Sequence, residues 1–182
     1  METLPRSELE SSITVEAARP EDAEEMVKVH SQSWLETYPN DEIGLAEADV
    51  QRHLSAKAVG KVERYREQIK TQDGSHHMAF VARQGGKIVG LSLPHVEKDG
   101  RHRLGALYTL RDVHGQGVGN QLIEQALLWH GNNDVYLMVT SYNERAIQFY
   151  KKHGFELTGR EDFEEVGGVK MSELEMVRHN KE

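Results

Sequence analysis

A glycine-rich turn that joins an apolar strand to an amphipathic helix constrains this sequence more than any other feature. It lies between Leu107 and Ile123, where the chain reads LYTLRDVHGQGVGNQLI, with glycines at positions 115, 117 and 119. The start of a helix directs unpaired backbone N–H groups and the positive end of the helix dipole at one point, which favours an anion, most often a phosphate. The glycines would let a pyrophosphate approach the backbone closely, and a role in packing alone is the alternative.

Two well-known phosphate-binding patterns do not match this spacing. The dinucleotide fingerprint Gly-x-Gly-x-x-Gly would need glycine at Asn120 or at Leu122, depending on whether it starts at Gly115 or at Gly117. The nucleotide triphosphatase loop needs Gly-Lys followed by Ser or Thr, a sequence that the chain lacks. The turn therefore indicates a phosphate site of another class.

The order of the predicted elements indicates an α+β fold, with antiparallel strands first and a β-α-β-α-β stretch second. Alternation of apolar and polar residues predicts strands, and apolar residues at helical spacing predict helices. Strands are predicted at 13–17, 78–83, 88–94, 104–110 and 135–139, and from 155 onward as a pair joined by Gly167-Gly168; helices are predicted at 20–38, at 42–70 with a break near Val59-Gly60, at 117–130 and at 143–153.

Length and composition predict one globular domain at 13–182, preceded by a flexible N-terminal arm at 1–12. The chain has 182 residues, of which 37% are hydrophobic, enough for a single core. Its 22 basic and 30 acidic residues give a net charge of −8, which disfavours nucleic acid as a partner. No stretch is apolar enough to span a membrane and the N-terminus does not resemble a signal peptide, so we expect no membrane partner and a cytoplasmic location.

The chain contains no cysteine, which excludes disulfides, thiolate metal sites and a cysteine acyl-enzyme. The ten histidines include the adjacent His76 and His77, whose rings would point in different directions on a strand. Because no His-Glu-x-x-His or comparable ligand pattern occurs, we expect no metal cofactor.

A second marker follows the glycine turn. Asn143 stands where a predicted strand gives way to a helix, and Tyr150 lies seven positions later, so at about 100° per residue the two side chains share a helix face. Taken alone, Asn143 could be a plain helix N-cap and Tyr150 a core aromatic residue. The pairing with the glycine turn is what gives them functional interest.

Three segments together resemble the GCN5-related N-acetyltransferase (GNAT) family, whose members transfer an acetyl group from acetyl-CoA to an amine. These segments are HGQGVG at 114–119, NERAIQFY at 143–150 and KKHGF at 151–155. The resemblance extends from about Ile13 to His179. It implies a mixed, mostly antiparallel central sheet flanked by helices and splayed between the fourth and fifth strands, with acetyl-CoA as cosubstrate in the opening.

The resemblance also implies roles for individual residues. Tyr150 would be the catalytic acid that protonates the leaving thiolate, and Asn143 would hydrogen-bond the pantetheine arm. The backbone of Leu107, Tyr108 and Thr109 would meet the acetyl group and the pantetheine. The CoA pyrophosphate would lie against His114, Gly115, Gln116, Gly117, Val118, Gly119 and Asn120.

The sequence departs from the family at two positions. His114 stands where the family most often has Arg or Gln, so the resemblance does not imply a side-chain contact from this position to the CoA pyrophosphate. Many relatives have a Glu five residues before the Asn, but this chain has Met138, so the usual general base is missing. By location His95, Glu97 and Tyr108 are candidate replacements, although an ordinary surface or strand role is open for each; a water relay is also open.

The acceptor amine is less well defined by the sequence. The segment SWLETYP at 33–39 resembles relatives in which Trp34 and Tyr38 form the walls of the acceptor pocket, and packing of the helix on the sheet is the alternative. Some such relatives acetylate polyamines, which the acidic run at 161–165 could attract, unless that run is a solvated face.

The expected function is therefore transfer of acetyl from acetyl-CoA to a primary amine, in particular that of a small molecule, by direct attack in a ternary complex. An acyl-CoA-binding regulatory or sensor module without catalysis is the alternative. The sequence leaves a homodimer open.

Overall fold

The computed structural model describes residues 12–180 as seven strands and five α-helices. The arm predicted at 1–12 lies, apart from Ser12, outside the described residues. The strands are β1 (Ile13–Ala17), β2 (Phe80–Gln84), β3 (Lys87–Val96), β4 (His102–Thr109), β5 (Val135–Thr140), β6 (Glu156–Val166) and β7 (Val169–Arg178). The helices are α1 (Ala23–Thr37), α2 (Glu47–Ala56), α3 (Lys61–Lys70), α4 (Val118–His130) and α5 (Glu144–Lys152).

One mixed sheet organises the chain, with the strand order β1-β2-β3-β4-β5-β7-β6. Every neighbouring pair is antiparallel except β4 and β5, which are parallel. The last hairpin is inserted so that β7, the final strand, pairs with β5, and β6 is left at the edge. The predicted α+β architecture with a mostly antiparallel sheet is confirmed.

The parallel pair diverges soon after it forms. Only the pairs His102–Val135 and Arg103–Tyr136 join β4 to β5, so the rest of β4 presents an unpaired edge to the gap. Between its pairs with Pro94 at Leu104 and with Ser92 at Leu107, β4 has one residue more than β3, which is a β-bulge that bends the strand. The predicted splay between the fourth and fifth strands is confirmed.

Helices cover the two faces of the sheet. On one face, α4 and α5 pack on the central strands through a core that includes Ile123, Leu137 and Ile147. On the other face, α1 and α3 pack through Met26, Ile69 and their neighbours, and α2 packs near the β6–β7 hairpin. We call these the α4–α5 face and the α1–α2 face. Alternate residues of each strand serve the two faces.

The helical boundaries agree with the sequence pattern except in one region. The predicted break near Val59-Gly60 is confirmed, since α2 ends at Ala56 and α3 begins after Gly60, whose φ of +71° is left-handed. The predicted start at residue 42 is wrong. Residues Asp41–Ile43 form a single 3₁₀ turn that Gly44 ends, and α2 begins only at Glu47.

Among residues 12–180, no helix combines the length and the apolar character that crossing a bilayer requires.

Candidate active site

A cavity of about 550 Å³ passes through the gap between β4 and β5, and residues from both faces of the sheet line it. Of the residues to which the resemblance assigns catalysis, cosubstrate binding or the acceptor pocket, all but one are among the lining residues: Trp34, Tyr38, Leu107, Tyr108, Thr109, His114, Gly115, Gly117, Val118, Gly119, Asn120, Asn143 and Tyr150. The exception is Gln116, whose side-chain amide bonds Gln84 and the carbonyl of Asp112 instead. The tertiary structure thus gathers residues from positions 34 to 150 into one site.

The glycine turn forms the start of α4 through backbone conformations that only glycine adopts easily. Gly115 has φ +79° and Gly117, the N-cap of α4, has φ +86°. A Cβ placed on either glycine would meet no atom within 4 Å, so the space beside the turn is open. Gly119 differs, because its Cβ would press against the Phe149 ring at 3.3 Å. Two glycines therefore shape the turn, and the third allows α4 and α5 to pack closely.

The turn presents unpaired donors to the cavity. Gln121 is the first residue of this helix start whose N–H bonds back, to the Gly117 carbonyl at 3.1 Å. The N–H groups of Val118, Gly119 and Asn120, which precede it, have no intrahelical acceptor. The His114 Nε2 atom is also buried and has no hydrogen-bond partner within residues 12–180. The three backbone N–H donors match an anion such as a pyrophosphate.

Arg145 is a site residue that the sequence analysis missed. It lies in the first turn of α5 and lines the cavity. A cation is unfavourable at a helix N-terminus, because the helix dipole is positive there. Burial, and then the nearby Arg111, lowers the pKa of Arg145. A bound anion beside the glycine turn would offset both the unfavourable helix dipole and the lowered pKa. The arginine in the first turn of the predicted helix was the sequence signal that could have indicated this residue.

Asn143 caps α5 and still has donors to offer. Its Oδ1 accepts a hydrogen bond from the Ala146 N–H at 3.1 Å, which fixes the side-chain amide at the cavity wall. Since a carboxamide has two N–H donors besides its oxygen, the side-chain NH₂ group of Asn143 can donate to a ligand carbonyl. The cap and a binding role are therefore compatible.

Tyr150 is buried in the core between α4, α5 and the sheet, and it also lines the cavity. Burial, and then the proximity of Tyr108, raises the pKa of Tyr150, so the phenol is protonated at neutral pH. Tyr108 belongs to the α1–α2 face, where it packs with Trp34 and Tyr38. The interaction between the two tyrosines therefore crosses the gap between the strands.

Aromatic side chains form the wall of the cavity on the α1–α2 face. The Trp34 Nε1–H donates to the Tyr108 hydroxyl at 3.0 Å, and Tyr38 packs in the same cluster. The Trp34 ring meets the Tyr38 ring edge-on at 4.7 Å and stacks on His53 at 5.6 Å. These contacts hold the wall rigid. Packing and pocket formation, the two alternatives for Trp34 and Tyr38, therefore occur together.

The residue at the position of the missing base, Met138, lines the cavity, so that position supplies a thioether and no carboxylate. The three residues suggested as replacement general bases are poorly placed or protonated. His95 lies in a separate depression with His76 and His77, and Glu97 bonds Arg103 at 2.8 Å. Burial raises the pKa of Tyr108, so this hydroxyl is no base near neutral pH.

Two carboxylates that the sequence analysis did not single out as bases, Glu164 on β6 and Glu173 on β7, line the cavity on the α1–α2 face. Glu164 lies within the acidic run at 161–165, while nothing in the sequence marks Glu173. The cavity thus has N–H donors and Arg145 toward one face of the sheet. Toward the other it has carboxylates, aromatic rings and Arg103, whose charge is paired with Glu97 and Glu175. This polarity fits an anionic ligand on the first side and a cationic one on the second.

Comparisons with known proteins agree with this fold and site. Residues 75–157 match the sequence family described as the acetyltransferase (GNAT) domain. A probable N-acetyltransferase of Mycobacterium tuberculosis is 25% identical over 152 residues, which cover 82% of this chain and 83% of the relative. The peptidyl-lysine N-acetyltransferase YjaB of Salmonella typhimurium is 40% identical over 68 residues, 37% of this chain and 45% of that protein.

Among solved structures, the PaiA N-acetyltransferase of Thermoplasma acidophilum, determined in complex with coenzyme A, superposes with a TM-score of 0.72. It is 20% identical, and the match covers 92% of this chain and 99% of that one. Residues 75–157 thus match the GNAT acetyltransferase domain, and the relatives and the fold are those of acetyl-CoA-dependent N-acetyltransferases.

Proposed function

We propose that this protein transfers the acetyl group of acetyl-CoA to the primary amine of a small molecule, by direct attack of the amine within a ternary complex. One observation carries the proposal. A single cavity through the gap between β4 and β5 joins an anion-binding turn on one face of the sheet to carboxylates on the other. Both substrates of the transfer would therefore reach the gap from opposite faces.

The residues of the α4–α5 face suit the cosubstrate. The N–H groups of 118–120, together with His114 and Arg145, would hold the pyrophosphate, and Gln116 would contribute no side-chain contact. The side-chain NH₂ group of Asn143 and the backbone groups at the unpaired edge of β4 would hydrogen-bond the pantetheine arm. When bound, acetyl-CoA supplies the activated acetyl group. Backbone N–H groups at the unpaired edge of β4 can polarise its carbonyl.

Tyr150 would give its proton to the thiolate. A phenol with a reference pKa of about 10 is a weak acid for a thiolate of about 8.5 in water. Burial raises the pKa of Tyr150, and it would also raise that of a thiolate released in the same cavity, because burial disfavours the charged form of both. The transfer then remains feasible, and a protonated Tyr150 is present throughout the neutral range.

The acceptor would bind against Trp34, Tyr38 and the two cavity carboxylates. Aromatic rings and carboxylates together favour a cationic amine. A lysine side chain of a protein is the second candidate, because the relative that is 40% identical over 68 residues is named a peptidyl-lysine N-acetyltransferase. We favour the small amine because the aromatic rings and carboxylates that line this side of the cavity can bind a free organic cation directly.

The test is acetyl-CoA turnover, measured as free-thiol release, with polyamines, amino acids, aminoglycosides and lysine-containing peptides as acceptors. Calorimetry with acetyl-CoA runs in parallel. Turnover on a small amine supports the proposal, and turnover on peptides alone would replace the small amine with peptidyl lysine. Binding without any turnover would point to a sensor module, and the absence of binding would overturn the cosubstrate assignment.

A further inference from the structure

Two glutamates on one face of β7 have opposite electrostatic surroundings. Glu175 is 3% exposed and lies within 3.8 Å of three guanidinium groups. Glu173, two residues earlier, lines the cavity, and within residues 12–180 no Lys, Arg or His forms an ion pair with it. The groups around Glu175 are Arg101 at 3.3 Å, Arg103 at 3.8 Å and Arg160 at 3.4 Å.

The strand partners of Glu173 are acidic or neutral, and Arg103, which lines the same cavity, is paired with Glu97 and Glu175. The partner of Glu173 on β6 is Asp162, and its partner on β5 is Thr140, which also lines the cavity. Glu164 lines the same cavity, and the hydroxyls of Tyr38 and Tyr108 lie within electrostatic reach of the Glu173 carboxylate. A half-buried carboxylate among two others leaves this side of the cavity short of one positive charge. A protonated amine supplies it.

We propose that Glu173 is the general base of the transfer, binding the acceptor ammonium and taking its proton. This inference rests on the proposed function and adds the group that the Met138 position does not provide. Burial raises the pKa of Glu173, and Glu164 and Asp162 raise it further, which brings the carboxylate closer to the basicity that the step needs.

The proton and electron balance of the step closes with the residues described. Glu173 takes one proton from the acceptor ammonium, and the freed nitrogen lone pair forms the new nitrogen–carbon bond. The carbon–sulfur bond breaks with its electron pair on sulfur, which receives the proton of Tyr150. The second proton that the nitrogen loses restores Tyr150, and Glu173 releases its proton to solvent. The products are an amide, a free thiol and one proton.

Other carboxylates near the cavity have partners that hold them. Glu164 forms an ion pair with Lys57 at 3.4 Å and lies 3.8 Å from His53. Glu36 accepts the backbone N–H of Arg111 at 2.8 Å and so fixes Arg111–Val113, a 3₁₀ turn that precedes the glycine turn. Glu173 is thus the carboxylate of this cavity whose charge is least compensated.

The test compares Glu173→Gln with Glu165→Gln in the full-length protein. Glu165 is a matched control, since it belongs to the same acidic hairpin, is exposed and does not line the cavity. Steady-state kinetics with the best amine are measured from pH 5.5 to pH 9, together with acetyl-CoA affinity by calorimetry and the circular dichroism spectrum of each variant. Glu173→Asp serves as a conservative variant that keeps the carboxylate.

We expect Glu173→Gln to lower kcat about 10²- to 10⁴-fold, the range typical of general-base removal, with acetyl-CoA affinity unchanged. The acidic limb of the kcat/KM profile should vanish in this variant, remain in Glu165→Gln and return in part in Glu173→Asp. Groups facing Glu173 that also shape this limb are Asp162, Glu164, Tyr38 and Tyr108.

Wild-type kcat and an unchanged acidic limb in Glu173→Gln would overturn the assignment of Glu173 and leave the proposed function intact. A loss of folding or of acetyl-CoA affinity in both Glu173 variants would also overturn it, because the residue would then be structural. If the wild-type protein acetylates no amine, the proposed function fails first and the assignment of Glu173 fails with it.

Discussion

The indole N–H of Trp34 donates a hydrogen bond of 3.0 Å to the hydroxyl oxygen of Tyr108, and this bond ties α1 to β4 beside the gap in the sheet. Trp34 is 7% exposed, so its N–H cannot turn to water if the bond is lost. The bond also fixes Tyr108 beside Tyr38 in the wall of the cavity. A core contact and a pocket wall are here the same structure.

Tyr108→Phe should lower the free energy of unfolding by about 1–3 kcal/mol, because it leaves the buried Trp34 N–H without an acceptor. The measurement is equilibrium unfolding in urea of the wild type, Tyr108→Phe, Trp34→Phe and the double variant. We expect the two single effects not to add, with a coupling of about 0.5–3 kcal/mol. Additive effects would show that the hydrogen bond contributes nothing to stability.

Tyr150→Phe should lower kcat about 10²- to 10⁴-fold, since it removes the acid that protonates the leaving thiolate. Acetyl-CoA affinity, measured by calorimetry, should change little because the ring remains in the core. Tyr65→Phe is the matched control, as Tyr65 packs against α1 away from the cavity. A Tyr150→Phe enzyme with wild-type kcat would exclude Tyr150 as the acid.

Arg145→Gln should weaken acetyl-CoA binding about 10- to 100-fold, the size expected when a charge-assisted hydrogen bond of about 1.5–3 kcal/mol is lost. The same charge change at Lys151, an exposed residue later on α5, is the control. Calorimetry at low and high salt separates the two variants, because only Arg145→Gln should reduce the salt dependence of binding. Equal affinities in both variants would remove Arg145 from the phosphate site.

Acidification should destabilise the protein through His130, which is 1% exposed and lies 3.0 Å from His102 between their Nδ1 atoms. Burial, and then His102 and His95, lowers the pKa of His130 from 6.5 to about 3. Below pH 6.5 the unfolded chain therefore binds a proton that the folded protein refuses. Stability is lost as the pH falls from 6.5 toward 3, by at most about 1.4 kcal/mol per pH unit.

Urea unfolding of the wild type and His130→Gln at pH 7.5, 6.5 and 5.5 checks this prediction. The wild-type free energy of unfolding should fall faster than that of the variant over the last interval. His30, whose pKa burial and the nearby Lys61 lower to about 3, contributes a similar loss to both proteins and so cancels in the difference. Parallel curves for the two proteins would refute the role of His130.

Local signals in the sequence were enough to predict most elements of the fold. Alternation gave the strands, and Gly60 and Gly117 mark helix boundaries because their left-handed backbone is easily adopted only by glycine. The error at residues 42–46 has a local cause. Asn40 accepts the Glu42 N–H and Gly44 turns left-handed, so a short 3₁₀ turn closes before a helix can form.

Among the site residues, too, those within local motifs could be predicted from the sequence. Those on the glycine turn and on α5 lie in continuous motifs, so spacing alone brings them together, and the structure adds that Gln116 turns away from the cavity. Arg145 lies within the same motif. A positive charge in the first turn of a helix is unfavourable, and this position was the signal in the sequence for a bound anion.

The amino-acid sequence by itself determined most of the elements, the glycine turn and the likeness to GNAT acetyltransferases. Only the tertiary structure decided which carboxylate faces the gap. Alternation places Glu173 and Glu175 on one face of a strand, but it does not tell which strands that face will meet. The insertion of β7 beside β5 puts three arginines around Glu175 and leaves Glu173 at the cavity. Such long-range pairing depends on the packing of the whole sheet, because no local interaction encodes the order of its strands.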